Sequence, residues 1–444
     1  MKLINYIKLY LFIFLKKTLF KFQLFESFYN EFLNQEKFLD LIKKKFSQKN
    51  FNECYDVIHK YFKFTNVYTY KISSATLSKS FENFKYKEEL KKRILSVNEI
   101  YNNHEYVPKF VKFNNKNLLN NKFSDNKINL VTNLNVDGNI CESDIAFSFV
   151  ESSKKVNLDL NLIPVDYFHS DYLNENNKKI IDNLADFINR SDEVFLINCN
   201  WKYITTTSSF AYFLSKLIDK ENIIFFHYDA WGKNKTFLDQ ISTHFTKSKF
   251  LMCQNNLLDK KFLNKIKSRL LLLPVVCDYN NIEKNYPTSS EVNLGFLGSQ
   301  DVFLRIVWLS QIKHKYNDLY IEDLNKNEKS LKKMMDFYKK FKNFNLSLNF
   351  SSRNKVDRLV VGRVFESIAH RHVLLEEKNP SIDLFLLEYL NFIPINNVNE
   401  VLLINDFFIK NQNIFKQIIK NNIHLTNKYF NAKFFWDTLR KFIN

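Results

Sequence analysis

The chain has 444 residues, 45% of them hydrophobic, too long for one ordinary core and apolar enough to bury two or three. Its formal net charge of +18 makes polyanionic surroundings the first expectation: membrane headgroups, nucleic acid or a phosphorylated substrate. Five widely spaced cysteines (Cys54, Cys141, Cys199, Cys253, Cys277) form no C-x-x-C pair, which argues against a zinc ribbon or disulfide scaffold and fits a reducing cytoplasm.

The charge is uneven. Residues 1–126 hold 23 Lys/Arg against 12 Asp/Glu, a net +11. Three readings of this stay open: a solvated basic face, a membrane-surface contact, or nucleic-acid binding. Zinc-finger spacing and ribonucleoprotein aromatics are both absent, which counts against the last. The run Leu9–Leu15 has seven apolar residues between lysines, where a membrane span needs about 20. A secretory signal needs small residues at its cleavage site, and the first alanine is Ala75. An amphipathic or buried helix is the remaining expectation. Apolar residues recur at helical spacing across the region (Phe28, Phe32, Leu33; Val57, Ile58, Tyr61, Phe62), so residues 1–126 are expected to be an all-helical, basic N-terminal region. It would end in an Asn/Lys-rich linker at 114–126.

From Lys127 the rhythm changes. Short, wholly apolar runs at 128–134, 158–165, 193–199, 222–228, 249–253 and 270–276 alternate with amphipathic stretches at 143–155, 177–190, 207–219 and 236–246. A second series follows. Its strands are expected at 292–297, 344–350, 372–376 and 391–395, and its helices at 302–315, 326–342, 362–371, 398–407, 410–421 and 431–442. Strands apolar on both faces, alternating with helices, predict parallel sheets covered on both sides. The expected fold class is α/β: two Rossmann-like, doubly wound domains, 127–290 and 291–444, with the last helix packing back on the first domain. Ligands of such sheets bind beyond the carboxyl ends of the strands.

Glycine is informative because it is scarce: five residues against the roughly thirty that an average composition would supply. Phenylalanine, at 46, looks like coding bias and says little position by position. One glycine opens the segment Val361-Gly362-Arg363-Val364-Phe365-Glu366-Ser367-Ile368-Ala369. Free N–H groups at a helix start, the positive end of the helix dipole and an arginine fork together make an anion site. Glycine lets a diphosphate approach the backbone, and Glu366, one turn in, could accept from paired hydroxyls. The plainer alternative is that Arg363 simply pairs with Glu366 or a neighbour.

The stretch Arg363 to Glu376 (RVFESIAHRHVLLE) resembles the donor-binding helix and following strand of GT-B glycosyltransferases, and is most similar to their CgeB-like branch. Glu377-Lys378-Asn379-Pro380, Glu388-Tyr389 and Asn399-Glu400-Val401-Leu402 extend the likeness, as do Leu294-Gly295-Phe296-Leu297-Gly298-Ser299 with Arg305 upstream. Leu273-Pro274 with Cys277-Asp278 resembles the strand before the interdomain hinge. The resemblance covers 290–440 clearly and 127–290 weakly. It implies a transferase moving a sugar from a nucleotide-sugar donor to an unidentified acceptor, in surface glycan or glycoconjugate synthesis. Glu366 would hold the donor ribose, while Arg363, Arg305, Gly362, Gly298 and Ser299 would surround the diphosphate. The pattern departs at Arg371, where the family has glycine, and at Arg358, beside Asp357, where related retaining enzymes carry a second Glu.

Transfer also needs charge stabilisation of the leaving diphosphate and, with inversion, a base for the acceptor hydroxyl. Base candidates are Asp137, beside Gly138, and His227 or Asp229 in His227-Tyr228-Asp229-Ala230-Trp231-Gly232. Trp231 could stack on a sugar. With no D-x-D-like motif in a suitable loop, no metal and no cofactor beyond the donor are expected. The competing readings are a non-catalytic scaffold on a degenerate GT-B fold, docking on a membrane or partner through 1–126, and a nucleic-acid binder suggested by charge alone.

Overall fold

A computed structural model describes residues 72–102, 104–115, 127–132, 144–165, 173–199, 208–227, 233–253, 260–278, 291–298, 303–322, 336–351 and 359–443. The chain forms two compact units, Met1–Lys79 with Gln300–Lys315, and Ser80–Ser299 with Tyr316–Asn444. In the first, the described parts are the opening turns of helix α1 (Ile72–Asn102) and helix α8 (Phe303–Lys315). Arg305, Leu309, Ser310 and Ile312 of α8 are buried.

The second unit carries both sheets. The six-stranded sheet comprises β1 (Ile128–Thr132), β2 (Leu160–Pro164), β3 (Val194–Asn198), β4 (Ile223–His227), β5 (Lys249–Met252) and β6 (Leu270–Leu272), in the order β2-β1-β3-β4-β5-β6. Every described pairing is parallel. The five-stranded sheet comprises β7 (Leu294–Leu297), β8 (Tyr320–Glu322), β9 (Leu346–Asn349), β10 (Val373–Glu377) and β11 (Phe392–Ile395), ordered β11-β10-β9-β7-β8 and again parallel. Parallel sheets need cover on both faces, and β1, β3 and β4 are accordingly buried at every residue. The expected α/β class with two parallel sheets is what the chain adopts.

The helices show why the pattern was readable. In α4 (Glu175–Arg190), Ile181, Leu184, Ala185 and Ile188 form one buried stripe, and the Asn174 side chain caps the start by accepting from Asn177 N–H at 2.8 Å. Helix α3 (Asp144–Lys155) joins β1 to β2, while α4 leads to β3 and α5 (Ser208–Lys216) joins β3 to β4. Right-handed crossovers running in opposite directions put α3 on one face of the sheet, with α4 and α5 on the other. In keeping with this, α4 packs on α5.

Several boundaries differ from the sequence expectation. The strand expected at 270–276 ends at Leu272, and the chain continues to Asp278 as a buried segment without regular secondary structure. Strand β8 and helix α7 (Lys260–Ile266), which follows α6 (Lys233–His244), were not expected. Both are short, and β8 is only half-buried, so neither leaves a strong apolar period. Within 326–342 the described helix covers 336–339 and tightens to a 3-10 turn over Lys340–Asn343.

Two further segments pack on the sheets. The Asn114 side chain, at the end of α2 (Lys109–Asn114), donates to Leu272 O at 2.6 Å and accepts from Leu272 N at 3.0 Å, pairing with the open edge of β6. Fully buried Phe110 lies against Phe385 and Phe430. In α1, Arg93 donates to the Tyr389 hydroxyl at 2.9 Å, and Asn98 accepts from Asn421 at 2.7 Å. Residues 80–115 therefore share a compact unit with the sheets. The chain ends in α9 (Gly362–Ala369), α10 (Val398–Lys410), α11 (Gln412–Tyr429) and α12 (Ala432–Ile443). Helix α12 returns to α3: Trp436 Nε1 donates to Ser152 Oγ at 3.0 Å, and Phe149 meets both Phe435 and Trp436. Asp278 accepts from Ala432 N at 3.1 Å while its other oxygen pairs with Lys155.

Candidate functional site

Helix α9 connects β9 to β10, so its first turn stands at the carboxyl ends of the second sheet's strands, where ligands of open parallel sheets bind. Val361 precedes it in an extended conformation and offers no side-chain cap, so the first N–H groups keep the donor capacity typical of a helix start. Strand β7 ends beside it at Gly298, which has φ +153° and tethers its N–H to Glu322 O at 3.0 Å. L side chains rarely adopt that backbone angle. A Cβ placed on Gly298 would also lie 3.7 Å from Arg363 Nη2, so the guanidinium rests against the bare backbone of this glycine.

Arg363 is held from three sides. Its guanidinium carbon lies 5.2 Å from the ring centroids of both Phe337 and Phe341, within cation–π range. Its Nη1 lies 2.7 Å from Glu366 Oε2, at an angle too poor for a hydrogen bond. The other Glu366 oxygen accepts from the Tyr338 hydroxyl at 2.8 Å. Glu366 is 3% exposed and Tyr338 1%. A buried carboxylate is tolerated only when charge and hydrogen bonds replace its water, and Arg363 and Tyr338 supply both.

The C-terminus of α9 explains the first departure from the family pattern. Arg371 N–H bonds to Ile368 O at 2.9 Å and His372 N–H to Ser367 O at 3.0 Å, the two bonds of a Schellman cap, whose C′ residue is left-handed. Arg371 takes φ +66° there, the conformation that glycine adopts without a Cβ penalty. His370 stacks on Phe341 at 4.3 Å, and His372 Nδ1 lies 2.7 Å from Ser347 Oγ. Burial, reinforced by neighbouring His370, holds His372 well below the usual histidine range and therefore neutral.

The structure thus brings together Gly298, Gly362, Arg363 and Glu366. Arg305 is buried on α8, in the other compact unit. Asp137, Asp229 and Ser299 lie outside the described residues, as do Trp231, Asp357 and Arg358. His227 ends β4 at 1% exposure, and burial lowers its pKa to about 3. Its ring is neutral at physiological pH, and neither nitrogen has a hydrogen-bond partner among the described residues. A base so depressed captures protons poorly.

Sequence reasoning missed Tyr338, Phe337 and Phe341. They lie in a Lys-rich helical stretch of a chain with 46 Phe, where one more aromatic residue carries almost no signal. The buried pair Asn349–Glu376, bonded at 2.6 Å across the ends of β9 and β10, was also missed. Polar residues ending otherwise apolar strands could have flagged it.

No protein-family model matches the chain, and no curated protein matches it. Among solved structures it is similar to a glycosyltransferase from Rickettsia africae, at 11% identity over 72% of this chain and 99% of that one, with a TM-score of 0.47. It is also similar to Anabaena HepE, solved in complex with UDP and glucose (8% identity, 71% and 99% coverage, TM-score 0.46). A third is T4 phage BGT, solved in complex with its UDP-glucose substrate (13% identity, 72% and 99% coverage, TM-score 0.41). All three TM-scores fall below 0.5, and what this chain does has to follow from its own geometry.

Proposed function

We propose that the chain is a glycosyltransferase that takes a sugar from a nucleotide-sugar donor to an unidentified acceptor, on a GT-B-type pair of α/β sheets. The observation that carries this reading is the meeting of Arg363, the bare backbone of Gly298 and the start of α9 at the carboxyl end of a parallel sheet, with Glu366 one turn behind. The guanidinium and the helix N–H groups suit a diphosphate, whose charge grows as the glycosidic bond breaks. A cation fixed before the reaction stabilises that charge without reorganising, and we assign this role to Arg363 rather than to a metal. Glu366 is suited to accept from the vicinal hydroxyls of a ribose. The CgeB-like resemblance of 363–376 points the same way.

The angled contact between Arg363 and Glu366 matters here. A diphosphate can draw the guanidinium away from the carboxylate without breaking a well-formed hydrogen bond, and this frees one carboxylate oxygen for the ribose. The same contact favours a second reading, a scaffold protein whose donor groups have closed on each other. Isothermal titration of the full chain with UDP, GDP and a panel of their sugar conjugates separates the two. Glycosyl transfer requires binding of at least one, weakened at least tenfold in Glu366→Ala. No binding to any of them, or affinity unchanged in that variant, leaves the scaffold reading. Membrane-surface contact through residues 1–126 also remains a proposal; among the described residues no helix is long and apolar enough to cross a membrane.

A further inference from the structure

The first sheet carries an unassigned polar pair at its topological switch point. Strand β1 feeds α3 toward β2 on one side, and β3 feeds α5 toward β4 on the other. The connections leaving these two neighbouring strands part in opposite directions, the arrangement that in open parallel sheets places a ligand crevice at the carboxyl edge. The last strand residues there are Thr132 and Asn198. Val131 is in register with Ile197, which sets Thr132 beside Asn198. The Asn198 amide donates to Thr132 Oγ1 at 3.0 Å, and both residues are buried, at 0% and 3% exposure. Asn198 Oδ1 has no hydrogen-bond partner among the described residues. Buried amide oxygens are nearly always paired, so an exception of this kind calls for an explanation.

The face is also informative. Asn198 is in register with Phe226, so their side chains share a face, and Phe226 packs 5.2 Å from Phe149 of α3. One half-turn earlier on α3, Phe147 stacks at 5.6 Å on Tyr338, whose hydroxyl donates to Glu366. The pair therefore lies on the side of the sheet from which α3 reaches the candidate donor site. Its chemistry is neutral, an amide oxygen beside a hydroxyl. Such an oxygen accepts a hydrogen bond from a hydroxyl and disfavours an anionic phosphate or carboxylate oxygen.

We propose that Thr132 and Asn198 form the subsite that receives a hydroxyl of the acceptor, and that the acceptor presents a neutral, carbohydrate-like face there. This rests on the glycosyltransferase reading above. Asn198 is assigned as a binding and positioning residue, with Oδ1 as the accepting atom.

The test is saturation-transfer NMR and titration of the full chain with methyl β-glucoside, methyl α-mannoside and methyl N-acetyl-β-glucosaminide, with UDP titrated in parallel. The expected result is binding of at least one glycoside, weakened about tenfold or more in Asn198→Leu and less in Thr132→Val, with UDP affinity unchanged. Three results overturn the proposal: no glycoside bound by the wild type, equal glycoside binding in Asn198→Leu, or parallel loss of UDP binding. Should Asn198→Leu fail to fold, wild-type crystals soaked with the same glycosides decide the matter. A sugar hydroxyl within hydrogen-bond reach of Asn198 Oδ1 supports the subsite, and a sugar elsewhere, or none, removes it. Failure of UDP to bind while glycoside binding still depends on Asn198 would sink the transferase reading and leave the hydroxyl site standing.

Discussion

The two sheets share a construction and differ in what they hold at their carboxyl ends. The second sheet presents charge: Arg363 and Glu366, clamped between Tyr338, Phe337 and Phe341 and resting against Gly298. The first presents neutral groups that end single strands, Thr132, Asn198 and His227, with hydrogen-bonding capacity left over among the described residues. A charged, aromatic-walled site built from one contiguous helix suits a ligand that brings its own charge. Dispersed neutral acceptors suit a ligand that offers hydroxyls. The contrast is what the proposed transfer, in which a sugar leaves a nucleoside diphosphate and is joined to an alcohol, would need.

The sharpest way to break this comparison is at Glu366. Replacement by alanine leaves the partly buried Arg363 without its carboxylate and the buried Tyr338 hydroxyl without its acceptor, which costs on the order of 3 kcal/mol. Chemical denaturation should show this as a lower midpoint, and titration should show lost UDP binding. Glu366→Gln keeps an acceptor for the Tyr338 hydroxyl and should recover part of the stability without the affinity. A variant as stable as wild type would mean that the pair is not the keystone of the second sheet's site.

His227 makes the reverse test on the first sheet. Its folded pKa, about 3, lies below the unfolded value, so the unfolded chain takes up the proton first as the medium is acidified. The stability tied to its neutral ring is complete above about pH 6.5 and is lost progressively as pH falls from there toward 3. Across that window the melting temperature of the wild type should fall relative to that of His227→Phe as pH falls, because the variant has no ring to protonate. Parallel curves would show that His227 is not the titrating group.

Packing supplies a third test. A Cβ on Gly295 would overlap the Phe344 ring, so Gly295→Ala should cost about 1–3 kcal/mol through overpacking. The effect belongs to the second sheet, and glycoside binding on the first should be spared once the protein is folded. The smallest expected effect has the opposite sign. Arg371 sits at φ +66°, and Arg371→Gly relieves roughly 1 kcal/mol of left-handed strain, read as a raised melting temperature. A fall instead would mean that the arginine side chain has contacts worth more than the strain.

Local chemistry made much of the fold legible. Short apolar runs such as 194–198 and 223–227, alternating with amphipathic stretches, read as strands buried on both faces, and the stripe in α4 announces itself by its period. Gly362-Arg363 and Glu366 were legible because glycine is scarce in this chain and a helix start has known chemistry. Strand β8 and helix α7 were not, since short, half-exposed elements carry weak periodicity.

The remaining features depend on contacts between residues far apart in sequence. Asn114 pairs with the edge of β6 across 158 positions, and Trp436 bonds to Ser152 across 284; no local pattern encodes either. Composition called residues 1–126 a basic helical region of its own, yet residues 80–115 lie in the same unit as both sheets. Net charge reports what a segment tends to attract and does not say where its apolar face is buried. The same limit applies at the site. The sequence alone placed Arg363 and Glu366 one turn apart on a helix that opens with glycine. Only the tertiary structure decided that Tyr338 would share the carboxylate, and that the guanidinium would come to rest beside Gly298. It alone left Asn198 Oδ1 as a buried acceptor, because which polar atoms are satisfied depends on the neighbours that folding brings.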